Sequence, residues 1–241
     1  AQREKMPQEL IEQLPIIKEI VHNFNITSIE AEEYEADDLI GTLVNKIKDS
    51  EYKPVIVTGD RDLLQLADED TEILLMQKGV TQVEQYNLHS IEELLGFSPH
   101  LIPDYIGLKG DPSDNIPGVP GIGEKTAQRL IQQYGSLEEI IANSQYIENK
   151  PIREKILQYE EQARLSKRLA IIKRDVDFKM ELSQMAYSEP DYEKLRALFG
   201  KYEFKKLLEK IPEQDINSKK IEEEIIEFRE ITDEEGLSGL C

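Results

Sequence analysis

Strand-period and helix-period runs alternate along this chain only as far as residue 86; beyond it the helical period stands alone. That change of period confines the fold to a layered α/β part followed by an all-helical part. Pro7 precedes "QELIEQLPIIKEIVHNF", whose apolar spacing predicts a helix from Gln8 to Phe24. "ITSIEA" (Ile26–Ala31) is β-rich, and "EADDLIGTLVNKIKDS" (Glu35–Ser50) returns to the 3.6 period with Leu39, Leu43 and Ile47 on one stripe. "KPVIVTG" (Lys53–Gly59) is a continuous apolar strand of the kind buried on both faces of a sheet. "DLLQLA" predicts a short helix, and "TEILLM" and "TQVEQY" predict two strands joined around Lys78-Gly79.

From Leu88 to Ile211 the pattern is one of short helices broken by Gly, Pro and Asn: "SIEELLG", "PHLIPDYIGLKG", "EKTAQRLIQQYG", "SLEEIIANS", "IREKILQYEEQARLSKRLAIIK" and "DYEKLRALFGKYEFKKLLEKI". The expected organisation is an α/β part over residues 1–86, a helical part over 87–212 and a charged linker, or the edge of another domain, over 213–241. No internal repeat stands out.

The chain has 241 residues, 39% of them hydrophobic, which is enough for a real core. Its single cysteine, Cys241, excludes an internal disulfide framework and a cysteine-based zinc site. His22, His89 and His100 are too scattered for metal-ligand spacing. No apolar run reaches membrane-spanning length and no signal-peptide pattern opens the chain, so a cytoplasmic protein without membrane contact is expected. The abrupt start, "AQREKMPQEL", without an initiator Met, suggests a piece of something longer.

Forty-nine acids against 29 bases give a formal charge of −20, which by itself argues against nucleic acid, because phosphate binding is mostly cationic. The acids are unevenly spread, however. Residues 213–241 carry ten acids and three bases, and others fall into three tight clusters. In "YEADD", Glu35, Asp37 and Asp38 begin a helix; in "VTGDRD", Asp60 and Asp62 follow a strand; in "GDPSDN", Asp111 and Asp114 occupy a turn. Each cluster alone has an ordinary explanation, as helix-start acids or turn chemistry. Together they read differently. Asp60 falls at the carboxyl end of a parallel-type strand, where open α/β sheets place their ligands. Seven carboxylates around one crevice repel one another unless a cation neutralises them, and Mg2+ or Mn2+ suits such oxygen ligands. Two such ions about 3.5–4 Å apart form a phosphoryl-transfer clamp. Asp37, Asp60 and Asp62 are the acids expected to stand closest to the chemistry.

The other unusual stretch is "SDNIPGVPGIGEKTAQRLIQQYG", Ser113–Gly135. Gly118, Gly121 and Gly123 fall at i, i+3 and i+5 directly before a helix-like run, with Pro117 and Pro120 stiffening the approach. A glycine hairpin ahead of a helix turns backbone N–H groups toward an anion, and the helix N-terminus adds a favourable dipole. Lys125, Thr126 and Arg129 lie within reach of the same phosphates. The pattern is not a Walker loop, since the spacing to Lys125 is wrong and no strand precedes it. The ordinary alternative is an inter-helix turn with a glycine cap, but one turn does not require this many glycines.

"YEADD", "VTGDRDLLQL", "GLKGDPSDNIPGVPGIGEKTA" and "YGSLEEI", in this order, resemble the 5′-nuclease (5′→3′ exonuclease, flap endonuclease-like) domain of bacterial DNA polymerase I, from about Arg3 to Ile211. The resemblance implies a Rossmann-like or PIN-like nuclease sheet followed by a helix–hairpin–helix region. It assigns Glu35, Asp37 and Asp38 to a first metal site and Asp60, Asp62, Asp111 and Asp114 to a second. It implies that "IPGVPGIGEKTA" holds the duplex backbone and often a monovalent cation, K+, and that DNA is cut near a 5′ flap junction during replication and repair. In that family a strand carrying a metal-binding Asp, then a second Asp and a basic arch, comes first. None of these is in the sequence, where Arg3 and Lys5 resemble the trailing end of the arch. A first metal site lacking part of its ligands, and weak cleavage by this chain alone, are therefore expected. A monomer, with a polymerase domain in the same parent chain, is the expected setting.

Three other readings remain open at this point: a stand-alone exonuclease paralogue, a DNA-binding module without catalysis, and a small-molecule phosphatase. The last fits Asp-x-Asp after a strand but leaves the glycine hairpin unexplained.

Overall fold

The computed structural model describes residues 6–77, 82–178 and 181–212. By contact the described residues form two compact units. One runs over Ser28–Gln184; the other joins Pro7–Thr27 to the described residues from Met185 onward.

In the larger unit, helix α2 (Ala36–Ile47) buries Leu39 and Val44 and leads to strand β1 (Val55–Thr58), a 3₁₀ turn (Asp62–Leu66), and strands β2 (Glu72–Met76) and β3 (Val83–Tyr86). The sheet order is β1-β2-β3, with Val55 opposite Glu72 in a parallel pair and Ile73 opposite Tyr86 in an antiparallel one. Six helices follow: α3 (Leu88–Leu95), α4 (Ile102–Lys109), α5 (Glu124–Tyr134), α6 (Leu137–Ala142), α7 (Lys150–Gln158) and α8 (Glu160–Ala170). Their starts carry local signals. Asn87 and Ser90 cap α3 reciprocally, Ser136 and Glu139 do so for α6, and the Asn149 side chain accepts the N–H of Ile152 to begin α7. Helix α4 is the centre: every residue from Ile102 to Leu108 is buried, including Asp104. One continuous hydrophobic core joins α2, the sheet and helices α4 to α8, from Val44 to Ile172.

The smaller unit holds α1 (Gln8–Asn23), α9 (Tyr192–Lys201) and α10 (Lys205–Leu208). Leu195, Phe199 and Ile211 form its core, with Ile20 and Phe24 packed on them.

Two expectations are corrected. Ile26–Ala31 forms no strand: its β-branched residues supply propensity, but no ladder partner is present among the described residues, and strand formation depends on one. Strand β1 is not buried on both faces. Ile56 and Thr58 point inward, whereas Val55 and Val57 are 52% and 59% exposed, so burial alternates through an unbroken apolar run. The predicted joint at Lys78-Gly79, the tail 213–241, and Arg3 and Lys5 lie outside the described residues. Among the described residues no strand follows Tyr86, and the pairing of Asp111 with Ile116 is an isolated bridge.

After α8 the chain passes along α2 closely enough that Gly41 has no room for a side chain. A Cβ there would lie 2.7 Å from Ile172 Cγ2 and 2.8 Å from the Lys173 carbonyl oxygen. Gly200 in α9 faces open space instead. Gly200→Ala should therefore raise stability by up to about 1 kcal/mol through helix propensity, whereas Gly41→Ala should lower it despite the same propensity gain. Thermal melts of the two variants check this; a stabilised Gly41→Ala protein would contradict the packing.

Candidate metal centre and hairpin

The acids are placed by three different elements. Glu35 precedes the first turn of α2, with Asp37 and Asp38 inside it. Asp60 and Asp62 follow the carboxyl end of β1, where the Asp60 N–H donates to Thr58 Oγ1 (2.9 Å) and the Asp62 N–H to Asp60 Oδ1 (2.9 Å). Asp111 and Asp114 occupy the turn after α4, closed by paired backbone hydrogen bonds between Asp111 and Ile116 (2.8 and 2.7 Å).

These elements converge. Asp62, Asp111 and Asp114 each offer a carboxylate oxygen, all within 4.8 Å of one another. Burial pushes the Asp62 carboxyl up to about 6, helped by the charges of Asp60, Asp111 and Asp114, while Lys109 opposes the rise. Asp37 is likewise pushed up to about 6, by burial first and then by Asp60, Glu35, Asp38 and Asp114. All seven predicted acids thus act on one another through these two carboxyls. For Asp111, burial raises the pKa, but hydrogen bonds from the Ser113 hydroxyl and N–H, together with Lys109, bring it below the usual carboxylate value. Packed acids, two of them with raised pKa values and all offering only hard oxygen donors, are what a divalent cation would neutralise.

Asp38 differs from its neighbours. Its Oδ2 accepts the N–H of Glu35 (3.4 Å) and its Oδ1 the N–H of Lys173 (2.9 Å), so both oxygens already serve the backbone. Asp37, one residue earlier, carries the raised pKa.

The hairpin grows from the same turn as Asp111 and Asp114. Gly118 and Gly121 have φ of +59° and +78°, the left-handed region that favours glycine, whereas Gly123 has φ −96° and begins α5 as an ordinary extended residue. A Cβ on Gly118 would collide with the Gly110 backbone, and the Val119 N–H donates to the Leu108 carbonyl (2.8 Å), so the hairpin is fused to the end of α4. Lys125 and Arg129 are exposed on α5, and Thr126 is half-buried.

Sequence reasoning passed over two cations. Lys109, at the end of α4, acts on both Asp62 and Asp111; its place two residues before Asp111 was the available signal. The Lys155 ammonium on α7 lies against Gly121, where a Cβ would run into it. That approach links residues 34 apart, and nothing local announces it. A cavity of about 640 Å³ lined by Pro54, Val55, Asp70, Glu72, His89 and Glu92 lies at the start of β1 and β2 and includes none of the seven acids.

An α/β sheet with a carboxylate cluster beyond the carboxyl end of β1, joined to a helical part through a glycine hairpin, matches the class of a metal-dependent nuclease fold. Two family models match in succession: the 5′-3′ exonuclease N-terminal resolvase-like domain over residues 1–96, and the 5′-3′ exonuclease C-terminal SAM fold over residues 97–193. The chain belongs to the 5′-3′ exonuclease family.

Among its relatives, DNA polymerase I of Bacillus caldotenax is 42% identical over 209 residues, covering 87% of this chain and 24% of that protein. DNA polymerase I of Bacillus subtilis (strain 168) is 38% identical over 232 residues, covering 96% and 26%. The chain thus spans about a quarter of the length of these relatives. Of solved structures, T5 5′-exonuclease with bound zinc ions superposes with a TM-score of 0.59 at 19% identity, covering 88% of this chain and 74% of that one. The catalytic core of Rad2 in complex with a DNA substrate gives a TM-score of 0.57 at 19% identity, covering 87% and 72%. At these identities the likeness is one of fold.

Asp37 and Asp62 are harder to ionise in the folded chain, at about 6, than at their ordinary value of 3.8. The folded state therefore holds protons more tightly than the unfolded one, and this contribution to stability is full below pH 3.8 and lost as pH rises through 6. The rise in Tm produced by adding Mg2+ to chelator-treated protein should accordingly be larger at pH 7.5 than at pH 5. Asp62→Asn should shrink that difference. Equal Mg2+ effects at both pH values would contradict a cation-neutralised cluster.

Proposed function

We propose that the chain is the 5′ nuclease module of a bacterial DNA polymerase I-type protein, hydrolysing DNA phosphodiesters near the junction of a 5′ flap and a duplex. The observation that carries this reading is that Asp111 and Asp114 share one closed turn with the start of the Gly118–Gly123 hairpin. A phosphate backbone gripped by the hairpin then runs close to the acids that would hold the metal.

In the proposed centre Asp62, Asp111 and Asp114 hold one divalent cation, with Asp60 beside them. Asp37 and Glu35 contribute to a second, and Asp38 orients the first turn of α2. Mg2+ is the cation we assign, because hard oxygen ligands suit it. When bound, the ions supply charge neutralisation at the phosphate and acidify a water for in-line attack. Asp37, Asp60 and Asp62 act through their carboxylates in holding that charge, and no side chain becomes covalently attached to DNA. Gly121 and the leading N–H groups of α5 hold the duplex backbone, with Gly118 shaping the turn beneath them and Lys125, Thr126, Arg129 and Lys155 around them. Arg3 and Lys5 would meet the 5′ strand, and K+ would sit on the hairpin carbonyls. On this reading it works as a monomer in the bacterial cytoplasm with a polymerase domain in the same parent chain, and the last of these is supported by relatives that are DNA polymerase I chains.

A second reading, binding without efficient cleavage by this chain alone, is favoured by the open flank of β1. Val55 and Val57 face solvent on the strand that leads to Asp60. One assay separates the two: the chain, and a version extended at its amino end, are incubated with a 5′-flap duplex in Mg2+ and in EDTA. Metal-dependent cleavage by the extended version is expected, with binding and weak cleavage by the shorter one. If the extended version neither cuts nor binds, the nuclease reading fails.

Asp62→Asn in the extended version should spare duplex binding yet lower cleavage by more than about 100-fold, since even outer-shell partners of a metal are worth about 10–100-fold. Lys125→Ala and Lys155→Ala should each lower the slope of log K against log salt by about 0.9, the loss of one phosphate contact. An unchanged slope for Lys155→Ala would remove it from the interface.

A further inference from the structure

Helix α8 carries no acid of the metal cluster and no residue of the hairpin, yet it holds the peptide where the two meet. Gly118 is buried, and its N–H donates to Ser166 Oγ (3.1 Å) while its carbonyl accepts from Gln162 Nε2 (2.6 Å). Both backbone hydrogen-bonding groups of this residue are therefore taken up by side chains one helical turn apart on a single helix. Ser166 is 0% exposed, and α8 lies so close to α4 that a Cβ on Gly107 would stand 3.1 Å from the Ala163 carbonyl oxygen. The helix has little freedom to follow the hairpin; the hairpin must follow the helix.

What is fixed at Gly118 is transmitted in both directions along the chain. Backwards, Gly118 abuts Gly110, and a Cβ on Gly110 would in turn lie 2.7 Å from the Ile116 carbonyl oxygen. Ile116 exchanges both backbone hydrogen bonds with Asp111, so the turn bearing Asp111 and Asp114 is closed against the same peptide. Forwards, the chain passes through Val119 and Gly121 into the first turn of α5. Beyond its last turn, α8 also leads to Lys173, whose N–H is held by Asp38 Oδ1 (2.9 Å).

We propose that Gln162 and Ser166 are positioning residues that set the Asp111–Asp114 turn and the hairpin together, through the Gly118 peptide. They touch neither cation nor DNA. Removing the clamp lets the peptide rotate, spreads the Asp111 and Asp114 carboxylates away from Asp62, and shifts the amides that face the phosphates. The two binding events share one support, so a single substitution on α8 weakens both. This rests on the metal and duplex reading given above.

The test uses the full chain, freed of metal with a chelator. Mn2+ binding is followed by electron paramagnetic resonance, and 5′-flap duplex binding by fluorescence anisotropy in Ca2+. The variants are Ser166→Ala, which strands the buried Gly118 N–H, and Gln162→Glu, which keeps the shape but sets a carboxylate against the Gly118 carbonyl. Asp104→Asn is the control: it weakens the neighbouring α4–α8 contact to Lys167 (2.7 Å) without touching Gly118. Both clamp variants should raise the Mn2+ Kd and the duplex Kd by about 3- to 10-fold, below the usual 10–100-fold for direct outer-shell partners. Asp104→Asn should lose Tm while leaving both constants within twofold. Unchanged Mn2+ affinity in both clamp variants overturns the proposal, whatever happens to DNA. An equal loss in Asp104→Asn also overturns it, because general loosening of α8 would then suffice. If the unsubstituted chain binds no Mn2+ the metal reading falls with it, whereas intact binding that ignores the clamp variants sinks the clamp alone.

Discussion

Mutual repulsion among carboxylates is the constraint around which the larger unit is arranged. Asp62, Asp111 and Asp114 bring oxygens within 4.8 Å of one another, and Asp37 feels Asp60, Glu35, Asp38 and Asp114 as well. Without a cation such a group drives its elements apart, so each element must be fixed by contacts elsewhere. The short turn after β1 is tied by Thr58 and Asp60 accepting the N–H groups of Asp60 and Asp62. Helix α2 is tied along its length to the segment after α8 by Lys173 at Asp38, Val176 at Thr42 and Arg174 at Asn45. The turn after α4 is tied by the bridge of Asp111 and Ile116. The cluster is thus assembled by hydrogen bonds to backbone, which do not depend on the ion.

Helix α4 makes that assembly rigid. It is buried along its length, and its one buried charge, Asp104, is met by the Leu137 N–H and Lys167 Nζ, each at 2.7 Å. Burial opposes the charge on Lys167, but hydrogen bonds to Asp104 and Glu138 hold its pKa above the ordinary value. A buried pair of this kind adds little net stability over an apolar one, yet breaking it leaves a stranded charge. Its effect here is to join α4, α6 and α8 through one side chain.

How much of this was legible in the sequence depended on range. Local signals carried the helices and the two later strands, since caps, periodicity and Gly or Pro breaks act within a few residues. The acids were legible because three short motifs each held more carboxylates than a turn requires. Ile26–Ala31 misled because β-propensity needs a partner that composition does not name. The one-sided burial of β1 was hidden because Val55, Ile56 and Val57 are equally apolar while only alternate positions find cover. Asp38 read as one more ligand, although Lys173, 135 residues away, occupies one of its oxygens. Lys155, Gln162 and Ser166 gave no signal at all, since each acts on a glycine 34 to 48 residues distant.

The charge of −20 first argued against a nucleic-acid partner, and the structure changes the terms of that argument. On the proposed reading the acids that matter are gathered at one point, where two divalent cations would cancel four negative charges beside the bound phosphate. On the proposed reading the N-terminus of α5 offers backbone amides, which attract an anion without counting in the formal charge. Lys125 and Arg129 on α5 and Lys155 on α7 then add positive charge only around that hairpin. On the proposed reading the ion-free cluster repels the duplex from the very turn that leads into its grip, so cation binding must strengthen DNA binding. By reciprocity DNA binding must strengthen cation binding to the same degree. A shared support at Gly118 is the geometry such reciprocity needs, because both ligands then stabilise one conformation of one peptide.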